Sequence, residues 1–238
     1  MNRLEEKLKE RWLHLGEELR RRGDFIDPPQ QGHWETIFIM LSRLYSGGHR
    51  YYHNLEHVDH CLRLFDSLCL DPGGANKKCS VHSPLSLELA IWFHDAVYTV
   101  GSSKNEEESA LLAEKSLKEA GLSRGIAREV EELVLCTDYG GNPASRLSDM
   151  PPDCSLVRDI DISILGDPWS SYLDYTGKIR REYGGYPESE YRERRKELLY
   201  SFLKKENIFE TEYFYRSREK QARENMRREI SELLEEKL

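Results

Sequence analysis

Apolar residues recur along the chain at steps of three and four. Leu4, Leu8, Trp12, Leu15 and Leu19 form one stripe, which predicts a helix over 3–22. Trp34, Ile37, Phe38, Leu41, Leu44 and Tyr45 repeat the pattern in a second helix. A third is predicted over 54–69, through Val58, Cys61, Leu62, Phe65 and Leu68. Ser83 followed by Pro84 reads as an N-cap with proline at the first helical position, opening a fourth helix through Leu85, Leu89 and Trp92. Asn105 is expected to cap a fifth. Glu106 to Glu108 fill its first turn, where carboxylates suit the helix dipole, and Gly121 ends it. Ser123 opens a sixth that runs to about Cys136, and the glycines and prolines of 138–153 mark the longest central loop. Helices resume near 154–164, 168–183, 188–206 and 211–236. No stretch alternates long enough to predict a strand. The expected fold class is all-α, a single-domain helical bundle over 1–238.

Composition narrows the function classes. The chain has 238 residues, 38% hydrophobic and 33% charged, long enough to bury roughly 70% of its unfolded surface. Thirteen Tyr, seven Phe and four Trp are too many for a disordered chain. A net charge of −8 argues against general nucleic-acid binding, which needs a basic footprint. The first seven residues carry both signs of charge and no apolar core, unlike a signal peptide. The longest apolar runs, such as Leu89 to Phe93, are far too short to span a membrane. The five cysteines are odd in number and lack a Cys-x-x-Cys pair. Reduced, mostly buried thiols in a cytoplasmic protein are therefore expected.

Three short segments carry the candidate chemistry: Tyr51-Tyr52-His53-Asn54-Leu55-Glu56-His57, Ile91-Trp92-Phe93-His94-Asp95 and Arg158-Asp159-Ile160-Asp161-Ile162. No histidine follows His94 in the remaining 144 residues. His94 and Asp95 end an apolar segment, where a carboxylate is costly to desolvate without a partner. That partner is either a cation or the neighbouring imidazole. His57 borders the apolar face of its predicted helix, and Asp161 sits between isoleucines, with Asp159 as its near competitor. Taken together, His57, His94, Asp95 and Asp161 offer two nitrogens and two carboxylates, a mix suited to Zn, Mn, Fe, Ni or Co, with Mg as a possible second ion.

The order His, His-Asp, Asp on helices resembles the HD-domain metal-dependent phosphohydrolase superfamily. The chain is most similar to a small family of predicted HD-domain phosphohydrolases. The matching pieces are Tyr52-His53-Asn54-x-x-His57, Phe93-His94-Asp95-x-x-Tyr98, Asn105-Glu106-x-x-Ser109-Ala110 and Asp159-x-Asp161-x-x-Ile164-Leu165-Gly166. They continue as Ile179-Arg180-x-Glu182-Tyr183 and Ala222-Arg223-x-Asn225. The resemblance implies metal ligation by His57, His94, Asp95 and Asp161 within a site spanning 53–161, with the helices of 168–236 packed on it. The first piece is also similar to cyclic-nucleotide phosphodiesterases, in which the first histidine protonates the leaving oxygen; that implies His53 as general acid. A small phosphate ester, such as a nucleotide, is the implied substrate. Asn54, Glu106, Arg180 and Tyr183 are the residues expected to touch it, with Lys104 and Arg50 as weaker choices than Arg180 for gripping phosphate.

The chain departs from many superfamily members in one respect. Residues 96–160 contain no histidine, and Thr137-Asp138-Tyr139 stands where relatives can show one. This argues against an oxygenase and against a second metal held wholly by protein; a water-held Mg bridged by Asp95 is still compatible. Two rival functions use the same residues. His53-Asn54-Leu55-Glu56-His57 fits the His-x-x-Glu-His string of inverted zinc peptidases, with Glu56 as base. A non-catalytic binding module with a structural metal is the other.

Overall fold

The computed structural model describes residues 2–27, 32–69, 80–140 and 150–235. Its elements are α1 (Arg3–Arg22), α2 (His33–Tyr45), α3 (Leu55–Cys69), α4 (Pro84–Phe93), α5 (Asn105–Glu119) and α6 (Arg124–Leu135). They continue with α7 (Cys154–Asp161), a 3₁₀ turn (Ile162–Gly166), α8 (Trp169–Glu182), α9 (Glu188–Leu203) and α10 (Glu212–Glu235). Among the described residues there is no strand, only an isolated bridge between Phe25 and Leu122. The fold is all-α, as the periodicity predicts. No helix among these residues is long and apolar enough to cross a membrane. The chain gathers into two compact units, Met1–Val157 and Arg158–Leu238.

In the first unit α4 is the central element. Its residues from Ser86 to Phe93 are all buried, the expected fate of a mostly apolar helix whose one charge, Glu88, is paired with Arg11 at 2.7 Å. The α1 stripe buries Leu8, Trp12, Leu15 and Leu19. Trp12 and Trp34 stack with centroids 4.4 Å apart, and each indole N–H donates to the other residue's carbonyl at 2.8 Å. Both polar handles are thereby satisfied inside the core. The close approach needs Gly16, because a Cβ there would stand 2.4 Å from the Trp34 ring.

Two expected caps work differently. Ser83 occupies the N-cap of α4 but makes no side-chain cap bond. The Asp153 carboxylate instead accepts from the backbone N–H groups of His82 (3.0 Å) and Ser83 (2.8 Å). Asn105 is the first residue of α5, with Lys104 at the N-cap. Its amide closes the preceding loop, accepting from Thr99 N–H (2.9 Å) and donating to Thr99 C=O (3.0 Å).

The cysteine expectation is corrected. Cys136 and Cys154 form a disulfide with Cα atoms 5.6 Å apart, inside the ordinary range for such a bridge. A count of spacings misses it because the two residues meet only when the segment after α6 returns to α7. Cys61 is buried and Cys69 exposed. Cys79 and the middle of the expected 138–153 loop lie outside the described residues.

In the second unit the expected helix of 154–164 stops at Asp161 and tightens into the 3₁₀ turn. Asn225 of α10 secures that turn by donating to the carbonyls of Leu165 (2.9 Å) and Asp167 (2.8 Å). Arg218 adds a bond to Ser163 C=O (3.1 Å) and an ion pair with Asp167. Glu229 accepts a two-pronged pair from buried Arg195 (2.8 and 3.1 Å) and a hydroxyl bond from Tyr172 (2.5 Å). Arg223 closes the end of α9 by donating to Leu203, Lys205 and Glu206 carbonyls.

Candidate metal centre

The local chain explains where each candidate ligand sits. His94 is the C-cap of α4, its N–H bonded to Ala90 C=O at 2.9 Å. The doublet His94-Asp95 therefore leaves the core at the end of a fully enclosed helix. His57 lies one turn into α3 on its buried side, with Val58, Cys61 and Leu62. His57 and His94 are 3% and 2% exposed. The loop after the doublet is pinned to α5 by Ser109, whose hydroxyl accepts from Val97 N–H (3.0 Å) and contacts Val97 C=O (3.2 Å).

The ligand atoms converge. His57 Nε2 lies 3.0 Å from His94 Nε2. Asp95 Oδ2 is 3.1 Å from His94 Nε2 and 3.6 Å from His57 Nε2. These three residues of the first unit each offer one ligand atom, while Asp161 ends α7 in the second unit. Ligands about 2.1 Å from a common ion stand roughly 3.0 Å apart at right angles and roughly 3.4 Å apart in a tetrahedron. Two of the three measured edges, 3.0 and 3.1 Å, fall in that range, and the third, 3.6 Å, is slightly longer. The donor set fits a divalent ion of the N/O-binding kind.

The tautomer of His94 supports the same reading. Its Nδ1 is 2.9 Å from Ile91 C=O, which can only accept, so Nδ1 donates there and Nε2 is the nitrogen turned towards His57 and Asp95. Cys61 Sγ lies 3.8 Å from His57 Nδ1.

The competitor Asp159 has another task. Its carboxylate accepts from Glu210 N–H (2.9 Å), Thr211 N–H (2.7 Å) and Thr211 Oγ1 (2.6 Å), securing the approach to α10. Burial pushes its pKa up to about 6, against the lowering effect of those three bonds. Two residues apart on α7, Asp159 and Asp161 face different tasks.

His53 stands outside the four-residue ligand group. It precedes α3, half-buried, with its ring stacked on Tyr98 (4.3 Å) and edge-on to Tyr52 (5.1 Å), and 6.1 Å from the His57 ring. Asn54 uses its amide on the chain. Oδ1 accepts from Glu56 N–H (2.8 Å) and Nδ2 donates to Tyr51 C=O (3.0 Å), which sets the turn into α3. Glu56 is exposed. Glu106 occupies the first turn of α5.

Arg180 and Tyr183 belong to the second unit. Arg180 pairs with Glu188 (2.8 Å), donates to Tyr183 C=O (2.9 Å) and lies over Tyr191 (4.7 Å). The Tyr183 ring tilts against Tyr186 and Tyr191. Exposed Lys104 takes the N-cap position of α5. Arg50 differs most from its expected phosphate-gripping role. It is 8% exposed, and its guanidinium donates to the carbonyls of His53, Asp95 and Ala96. Sequence reading misses this because a basic residue beside aromatics looks alike whether it faces substrate or backbone.

No family model, curated protein or solved structure matches the chain.

Proposed function

We propose that the protein is a metal-dependent phosphoric ester hydrolase acting on a small phosphate ester, with nucleotides as the first class to test. The observation that supports this reading most is the meeting of two imidazole nitrogens and a carboxylate oxygen at 3.0–3.6 Å, with a further imidazole, His53, close by but outside the ligand group. His57, His94, Asp95 and Asp161 would hold Zn, Mn, Fe, Ni or Co. A cation bound there supplies Lewis acidity, offsetting phosphate charge and bringing the ionisation of water into the neutral range.

The chain's own residues do the rest. Ile91 C=O fixes the proton of His94 on Nδ1, so the ring stays a donor of electrons at Nε2. The buried setting of His57 and His94 limits bulk water around the ligand atoms and strengthens their electrostatic interactions. His53, stacked on Tyr98, is placed to give a proton to the departing ester oxygen. An imidazole suits that task because it titrates near neutrality. A second Mg would lean on Asp95 and waters.

The peptidase alternative needs His53 as a ligand and Glu56 as base. His53 lies before α3 and outside the ligand group, and Glu56 is exposed, so the geometry favours the hydrolase. A binding module with a structural metal leaves His53 without a task. We also place the protein in the cytoplasm as part of this proposal, a compartment in which a bridge such as Cys136–Cys154 is uncommon. The test is elemental analysis of purified protein, followed by a phosphate-release screen over nucleotides and sugar phosphates with each metal restored. Phosphate release that needs both metal and His53 supports the reading. A metal-loaded protein inert towards all esters but active on peptides overturns it.

A further inference from the structure

Arg50 and the backbone of the candidate site are joined in a way the ligand set does not require. The segment of residues 49–54 and the pair Asp95–Ala96 both lie outside helices, so no helical ladder sets their spacing. One guanidinium ties them at three points, beside a contact of His49 Nε2 with Tyr98 C=O at 3.3 Å. Arg50 Nη1 donates to His53 C=O (3.0 Å) and Asp95 C=O (2.7 Å), and Nη2 to Ala96 C=O (2.8 Å). The same group lies 5.1 Å from the Tyr45 ring and 5.3 Å from the Tyr98 ring. Tyr98 is also the ring on which His53 stacks. Tyr45 is fixed in turn, its hydroxyl donating to Trp92 C=O (3.1 Å) on α4, two residues before His94. Burial raises the Tyr45 pKa well above its usual value, with Asp95 adding to the effect, so this hydroxyl stays a donor.

A charge this buried needs compensation. Here three carbonyl dipoles and two ring faces provide it. Only a planar fork can lie against the rings while reaching all three acceptors; an ammonium on a flexible stem cannot. We propose that Arg50 is a positioning residue that sets the distance between the His53 imidazole and the metal-ligating Asp95. The proposal rests on the hydrolase reading of the site, because it gives His53 and Asp95 the roles stated there.

The experiment has two readouts in one set of variants. Protein loaded with Co²⁺ is compared as wild type, Arg50→Lys and Tyr98→Leu. Tyr98→Leu removes the shared ring while keeping the three carbonyl bonds. NMR of the histidine ring protons reads the displacement of His53 from the paramagnetic ion without any turnover. Hydrolysis of an alkyl phosphate and of nitrophenyl phosphate then reads proton delivery, since nitrophenolate departs with little help. In both variants the expected result is unchanged metal content, a displaced His53 signal, alkyl phosphate turnover down by about 10²-fold, the scale of a misplacement near 1 Å, and nitrophenyl phosphate turnover nearly unchanged. His53 signals that do not move, or equal losses on both esters, overturn the proposal. Should Arg50→Lys fail to fold, Arg50→Gln decides by the same criteria, because Tyr98→Leu keeps the three guanidinium bonds and reads the ring contact alone. Displaced signals in a protein inert on every ester keep the positioning role and remove the hydrolase reading. Failure of the wild type to bind Co²⁺ removes both.

Discussion

His57 Nε2 faces His94 Nε2 at 3.0 Å inside the protein. Two imidazole nitrogens at that distance share either one proton or one cation. His94 spends its proton on Ile91 C=O through Nδ1, and Asp95 Oδ2 stands beside both nitrogens. A divalent ion satisfies all three atoms at once.

The protein is therefore expected to bind one divalent transition ion, and chelation should lower its thermal midpoint. A ligand present at a hundred times its Kd stabilises by about 2.7 kcal/mol. His94→Ala and Asp95→Ala should each abolish the metal-dependent shift. Calorimetric scans with and without chelator, with elemental analysis of each variant, check this. A midpoint indifferent to metal in the wild type would speak against the site.

His53→Ala should keep the metal yet slow turnover of a ribose or sugar phosphate ester by roughly 10²–10⁴-fold, the usual contribution of a general acid. A nitrophenyl ester should lose far less. Glu56→Gln should leave metal and rate unchanged, because Glu56 is exposed. Steady-state kinetics on both esters separate these outcomes, and loss of metal in His53→Ala would make His53 a ligand.

Asp159 and Asp161 should separate cleanly. Asp159→Ala leaves the donors of Glu210 N, Thr211 N and Thr211 Oγ1 without their acceptor. It should cost about 1–3 kcal/mol for each of these donors that water does not reach, with metal still bound. Asp161→Ala should weaken metal binding with a smaller loss of apo stability. Urea unfolding of metal-free protein and metal titration of each variant give the two numbers.

Gly16→Ala tests the packing of α1 against α2. Alanine gains up to about 1 kcal/mol of helix propensity over glycine. The added Cβ would meet Trp34 at 2.4 Å, and overpacking of this kind costs about 1–3 kcal/mol. Net destabilisation is the expected sign. A rise in the unfolding midpoint would mean the tryptophan pair can shift at little cost.

Reduction of the Cys136–Cys154 bridge should lower stability by about 3 kcal/mol, the loop-closure estimate for a ring of this size. Cys136→Ser should show the same loss and no further response to reductant. Thermal scans with and without reductant read both.

The sequence by itself determined the helices. Their apolar positions recur with the period of the backbone, and α4 is mostly apolar, as suits a helix enclosed on all sides. The set His57, His94, Asp95 and Asp161 came from the resemblance carried by the ordered His, His-Asp and Asp pieces, since each residue taken alone reads equally well as a satisfied core group. The helix expected over 154–164 shortened where Asn225 secures a 3₁₀ turn, while Asp153 took over the capping of α4 without moving its start. The tertiary structure alone decided the rest. Cys136 and Cys154 became partners, Asp159 went to the start of α10, and Arg50, a candidate for gripping phosphate, became a clamp on three carbonyls. Periodicity records which face of a segment is buried, but not which distant donor or acceptor waits there. Those pairings are set by geometry between segments, and one chain read in order carries no signal for it.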